Sequence, residues 1–104
     1  MCNAAPPVEL LAEIETYKAV ALSTGHLTEA DRDYLAVLST QSSMVMSRDE
    51  GFFVKLYEEM EPSTIAHFGE TLGAVIEWAY SLGVRLVEFD RDANTSDLFP
   101  TFEW

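Results

Sequence analysis

Histidine is the side chain whose charge changes nearest to neutral pH, and this chain has two. His26 follows Ser23-Thr24-Gly25, between an apolar stretch and a helical one. A hydroxyl beside an imidazole is the pairing that nucleophilic hydrolysis needs, with the ring as base. The same residues are ordinary turn chemistry, because Ser-Thr-Gly lets a chain reverse. Their amides could cradle a phosphate at a strand–helix junction, but the charge of the chain opposes an anion. His67 stands three residues before Glu70, a helical His-x-x-Glu spacing able to hold a metal. A closed site needs more ligands, His26 is far along the chain, and Cys2 is the only cysteine. The strings Glu58, Glu59, Glu61 and Glu88, Asp90, Asp92 lack the alternating Asp/Asn ligands and central glycine of a calcium loop. The expectation is a chain without catalytic residues, metal or cofactor.

Charge is the outlying property. Eighteen acids against six bases give a net charge of −12. Phosphate neutralisation needs clustered Lys and Arg, so binding to nucleic acid is excluded, and anionic membranes are repelled as well. Basic protein surfaces are attracted instead, in a salt-dependent way. Carboxylates one helical turn apart lie about 6 Å from each other, close to the several-ångström interval of phosphates along a DNA strand. Glu9 with Glu13, the group Glu29, Asp31 and Asp33, and Glu70 with Glu77 can display charge in that way. Glu58, Glu59 and Glu61 form a further acidic cluster, and Tyr80 is an expected aromatic anchor for a partner.

The elements that must position these residues follow from periodicity. A chain of 104 residues with 48% hydrophobic content is read as one domain, 1–104. No apolar run approaches the roughly 20 residues of a bilayer span, and the N-terminus lacks the regions of a signal peptide, so a cytoplasmic protein is expected. Pro7 can open an N-terminal helix over Val8 to Glu15. Tyr17 to Leu22 reads as a strand, with Val20 and Leu22 on one face. Thr28 and Asp31 suit a capping box ahead of a helix that ends near Thr40. Met44 to Arg48 and Phe52 to Tyr57 read as a hairpin, with Gly51 available for positive φ. From Pro62, the residues Ile65, Phe68, Leu72, Val75, Ile76 and Ala79 mark one face of a single long helix. Gly83 suits its C-terminal cap, and Val84 to Asp90 alternates as a strand. The tail from Leu98 to Trp104 is aromatic enough to pack back.

The order β-α-β-β-α-β predicts an α+β, ferredoxin-like antiparallel sheet with two helices on one face, plus the N-terminal helix and the aromatic tail. The far face, with Tyr17, Ala19, Phe53, Tyr57 and Leu86, must be covered by the helix, the tail or a second subunit. A short acidic one-domain chain of this kind resembles the inhibitor proteins that phages and other mobile elements direct against restriction or CRISPR complexes. The stretch from Ser23 through Asp31 is similar to small proteins of such elements. The resemblance implies non-enzymatic inhibition, by occupying a basic surface of a nucleic-acid-processing complex. The partner-binding residues expected are Glu29, Asp31, Asp33, Glu58, Glu59, Glu61, Glu70, Glu77 and Tyr80, on a monomer or homodimer. The alternative is a small ligand-binding or regulatory domain that dimerises through the back of its sheet. A hydrolase using His26 with Ser23 or Thr24 is the third reading.

Overall fold

The chain is described here by a computed structural model for residues 14–103. Its elements are β1 (Lys18–Ser23), one 3-10 turn (Thr24–His26), α1 (Glu29–Gln41), β2 (Val45–Arg48), β3 (Gly51–Lys55), α2 (Pro62–Ala66), α3 (Glu70–Ser81) and β4 (Val84–Asp90). The expected N-terminal helix lies, but for its last two residues, outside the described part. The result is an α+β fold with a four-stranded sheet in the order β1-β4-β3-β2.

The strand pairing departs from the expected antiparallel, ferredoxin-like sheet. β1 pairs with β4 in parallel, whereas β3 pairs antiparallel with both β4 and β2, so the sheet is mixed. Burial supplies the reason. β4 buries Val84, Val87 and Phe89 fully and leaves none of its residues exposed, so it suits a central place. β1 offers small Ala19 and Ala21 and an exposed Lys18, which suit an edge. Gly51 fixes the neighbour on the other side: a Cβ there would fall 1.9 Å from the Phe89 carbonyl oxygen, so only glycine lets β3 close onto β4. Positive φ in the hairpin falls instead on Glu50 (φ 59), which corrects the role expected of Gly51.

One face of the sheet, with Leu22, Val45, Phe52, Val54, Val87 and Phe89, joins Leu35 of α1 and Leu72, Val75 and Ile76 of α3 in a single core. Both helices therefore cover the same face. The Thr28–Asp31 capping box forms as read: Asp31 N–H donates to Thr28 Oγ1 at 3.0 Å, and Thr28 N–H donates to Asp31 Oδ2 at 3.1 Å. The long helix expected from Pro62 is two helices. Gly69 adopts φ 85, ψ −179, a conformation essentially closed to other residues, and begins α3 afresh. The apolar face survives the break, because Phe68 is buried and Ile65 packs at the core edge. Gly73 lets the two helices approach, with its Cβ position 3.3 Å from the Ile65 carbonyl oxygen. Gly83, at φ 78, ends α3 as expected.

Candidate functional site

Register brings together side chains that are distant in sequence. At the C-terminal ends of β1 and β4 lies a cleft of about 900 Å³, walled by the Ser23–Gly25 turn, the start of α1, the β2–β3 hairpin and the tail. Arg32, Arg48 and Arg91 line it, together with Asp33, Glu50 and Glu103. Arg48 Nη1 sits 3.0 Å from Glu88 Oε2 and 3.2 Å from Asp90 Oδ2, so one guanidinium faces two carboxylates. Its guanidinium also lies 5.6 Å from the Phe53 ring centre. Arg91 Nη2 approaches Glu50 Oε2 at 2.8 Å.

The Asp92 amide, donating to Asp90 Oδ1 at 3.1 Å, holds the Asp90 carboxyl below its usual range, and Arg48 and Arg91 act in the same direction. A carboxyl lowered in the folded state contributes stability above its unfolded range, and that contribution is lost as pH falls.

The opposite end of the sheet has a second hollow of about 520 Å³, lined by Lys18, Lys55 and Arg85 with Tyr17 and Tyr57. Lys55 Nζ stands 3.8 Å above the Tyr17 ring, and Lys18 Nζ donates to the Leu82 carbonyl at 3.0 Å. The six bases of the chain are thus drawn three and three to the two ends of the sheet.

The carboxylates are distributed differently. Residues 56–83 hold five glutamates and no lysine or arginine. Glu58, Glu59 and Glu61 are exposed in the β3–α2 connection, Glu70 and Glu77 on α3, and Glu29 and Asp33 on α1. Among the described residues none of these seven takes part in an ion pair. They stand on three separate segments of the fold. Asp31 is half-buried and committed to its own helix cap. Tyr80, the expected anchor, is half-buried, and its hydroxyl donates to the Glu58 carbonyl and accepts from the Met60 amide, both at 3.1 Å. It ties the glutamate-rich connection to α3.

His26 is fully buried, and its ring is engaged on both sides by the tail. Ser96 N–H donates to Nε2 at 2.9 Å, so Nε2 carries no proton, and Nδ1–H donates to the Pro100 carbonyl at 2.9 Å. Ser23 Oγ accepts from the Gly25 amide at 3.0 Å and does not meet the ring among the described contacts. Among the described hydrogen bonds, neither the Ser23 nor the Thr24 hydroxyl is joined to the ring. His67 is exposed, and among the described residues no three His, Cys, Asp or Glu side chains are placed to hold a metal. Sequence reasoning missed the arginine cleft, because nothing local links positions 32, 48 and 91.

These features define a small acidic α+β domain with its cations confined to the sheet ends. The chain belongs to the DUF5983 family of unknown function, whose C-terminal domain matches residues 19–104. No curated protein and no solved structure matches it. No described helix is long and apolar enough to cross a membrane.

Proposed function

We propose that this chain is a non-enzymatic, cytoplasmic inhibitor that docks on a basic, nucleic-acid-binding surface of a bacterial defence complex of the CRISPR or restriction type. The observation that supports it is the segregation of charge: five glutamates and no base over residues 56–83, all five exposed. A basic groove meeting that surface finds carboxylates where it normally finds phosphates; Glu58 borders the hollow of Lys18, Lys55 and Arg85, so the glutamates of α2–α3 are the ones clear of cations in sequence. Steering by the net charge of −12 speeds the encounter. The burial of His26 against the tail supports a role without turnover at that turn.

The test is capture by the immobilised full chain from lysates of bacteria that carry such systems, at about 0.1 M and about 1 M salt, where the Debye length falls from about 10 Å to about 3 Å. A nucleic-acid-processing complex should be retained at low salt, and be released by high salt and by competing duplex DNA. Capture indifferent to both would overturn phosphate mimicry.

The arginine cleft favours a second reading, a small-ligand or regulatory domain. Three of the four arginines of a strongly acidic chain converge on one concavity, and guanidinium groups suit planar carboxylate or phosphate. Dimerisation would use the far side of the sheet, where Phe53 and Leu86 are half-buried and Met46 is exposed. NMR titration with inorganic phosphate and with acetate would shift the amides of residues 23–25 and 91 if this reading holds.

A further inference from the structure

We propose that residues 96–103 form an acid-released strap, with His26 as its clasp and the arginine cleft behind it. The proposal starts from the bonds that hold this segment to the body among the described residues. Ser96 N–H and the Pro100 carbonyl both bind the His26 ring, Phe102 N–H donates to the Gly25 carbonyl at 2.8 Å, and Phe99 packs by its edge against two rings. The ring centres lie 5.7 Å apart for Phe99 with His26 and 5.3 Å for Phe99 with Trp78 of α3. One imidazole therefore clasps the strap at two points four residues apart.

The clasp works only with the neutral ring. Nε2 accepts a bond from an amide that cannot reverse its role, so a proton on Nε2 would face another N–H. The charged ring would also stay sealed from water. The charged groups on the surrounding elements are Asp97 and Glu103 on the strap, Asp90, Arg91 and Asp92 at the end of β4, Glu29, Asp31, Arg32 and Asp33 at the start of α1, and Glu77 on α3. Asp97, Glu103, Asp92 and Glu77 are exposed, and Asp90 is paired with Arg48. None hydrogen-bonds the ring among the described contacts. Burying an uncompensated charge is costly, so the proton is accommodated by letting the strap leave. Phe102 and Glu103 form part of the cleft wall beside Arg32, Arg48 and Arg91, so release opens that cleft. The strap thereby links acidification to access to the arginines.

The test uses the full chain in solution. Nitrogen shifts of the imidazoles report ring protonation, and the nuclear Overhauser contact between Phe99 and Trp78 reports strap closure, both followed from about pH 7.5 to about pH 5.5, the range in which histidine ordinarily titrates. The expected result is that the His26 ring gains its proton and the Phe99–Trp78 contact disappears together, while the sheet amides stay protected. His26→Ala should lack the contact already at the upper pH, with the sheet intact, and His67→Gln should behave as the unsubstituted chain. A His26 ring that protonates with the contact in place would overturn the proposal. So would a strap that stays closed over a neutral ring to the lower limit, or a closed strap in a folded His26→Ala.

Discussion

α1 and α3 are nearly equal in length, thirteen residues against twelve, and they sit on the same face of the sheet. α3 buries five of its residues, whereas α1 buries only Leu35 and leaves Val37 more than half exposed. The difference shows where the two halves of the fold draw their stability. α3 is held by an apolar stripe pressed on β4, so its outer glutamates are free to vary. α1 is held by one leucine, the half-buried Tyr34 and Leu38, and a capping box. Its terminal charges must help to keep it a helix.

The largest effect expected from this comparison comes from Ile76→Ala. A fully buried isoleucine next to Leu72 and Val75 leaves a cavity that neighbouring backbone cannot fill, at a cost of about 2–5 kcal/mol in denaturant unfolding. Leu35→Ala removes an equally buried side chain, but its helix has little else to hold it. Hydrogen exchange should then speed up across α1 well before the sheet amides respond. Equal, global loss of protection in both variants would break the contrast and make α1 an integral part of the core.

The same contrast explains what could be read from sequence. β4 was legible to the residue, because Val84 to Asp90 alternates and ends at a polar turn. The Thr28–Asp31 box and the Gly83 cap were legible because each is a local device within a few residues. The break at Gly69 was hidden by the stripe itself: Phe68 and Leu72 keep their four-residue spacing across it, and periodicity registers the face, not the continuity of the backbone. The clue was the glycine. The parallel β1–β4 pair was illegible, since strand partners are chosen by burial and by the Gly51–Phe89 approach, neither of which is local. His26 misled for the same reason. Its true partners, Ser96 and Pro100, lie 70 and 74 residues away.

A smaller effect sharpens the account of α3. Gly69 has open space where a Cβ would go, so Gly69→Ala meets no clash and tests conformation alone. Holding alanine at φ 85 should cost about 1–3 kcal/mol, read as a lower unfolding midpoint with an unchanged denaturant slope. A stabilised variant would mean that residues 67–69 rejoin α2 and α3 into the single helix that the apolar spacing suggests.

The smallest effect separates folding from binding on the two helices. Glu29 lies in the first turn of α1, at the positive end of its dipole, with Asp33 one turn further on, and Glu29→Gln with Asp33→Asn should cost about 0.3–1 kcal/mol at low salt, chiefly through Glu29. On α3, Glu70 stands at the favourable end and Glu77 in the C-terminal half, so their two dipole contributions oppose each other. Glu70→Gln with Glu77→Gln should therefore leave the melting temperature almost unchanged. Added salt should shrink the α1 effect and leave the α3 pair where it is. Both changes are small beside the several-fold losses that removal of a true contact charge produces in binding. The α3 pair is the cleaner probe of the proposed docking surface, because it removes two exposed charges from the base-free stretch without touching the fold. Undiminished binding to a basic partner after that change would place the contact elsewhere, with the β3–α2 glutamates as the next residues to neutralise. Equal melting shifts in the two pairs would show that α1 does not depend on its terminal charges, and the contrast between the helices would then rest on packing alone.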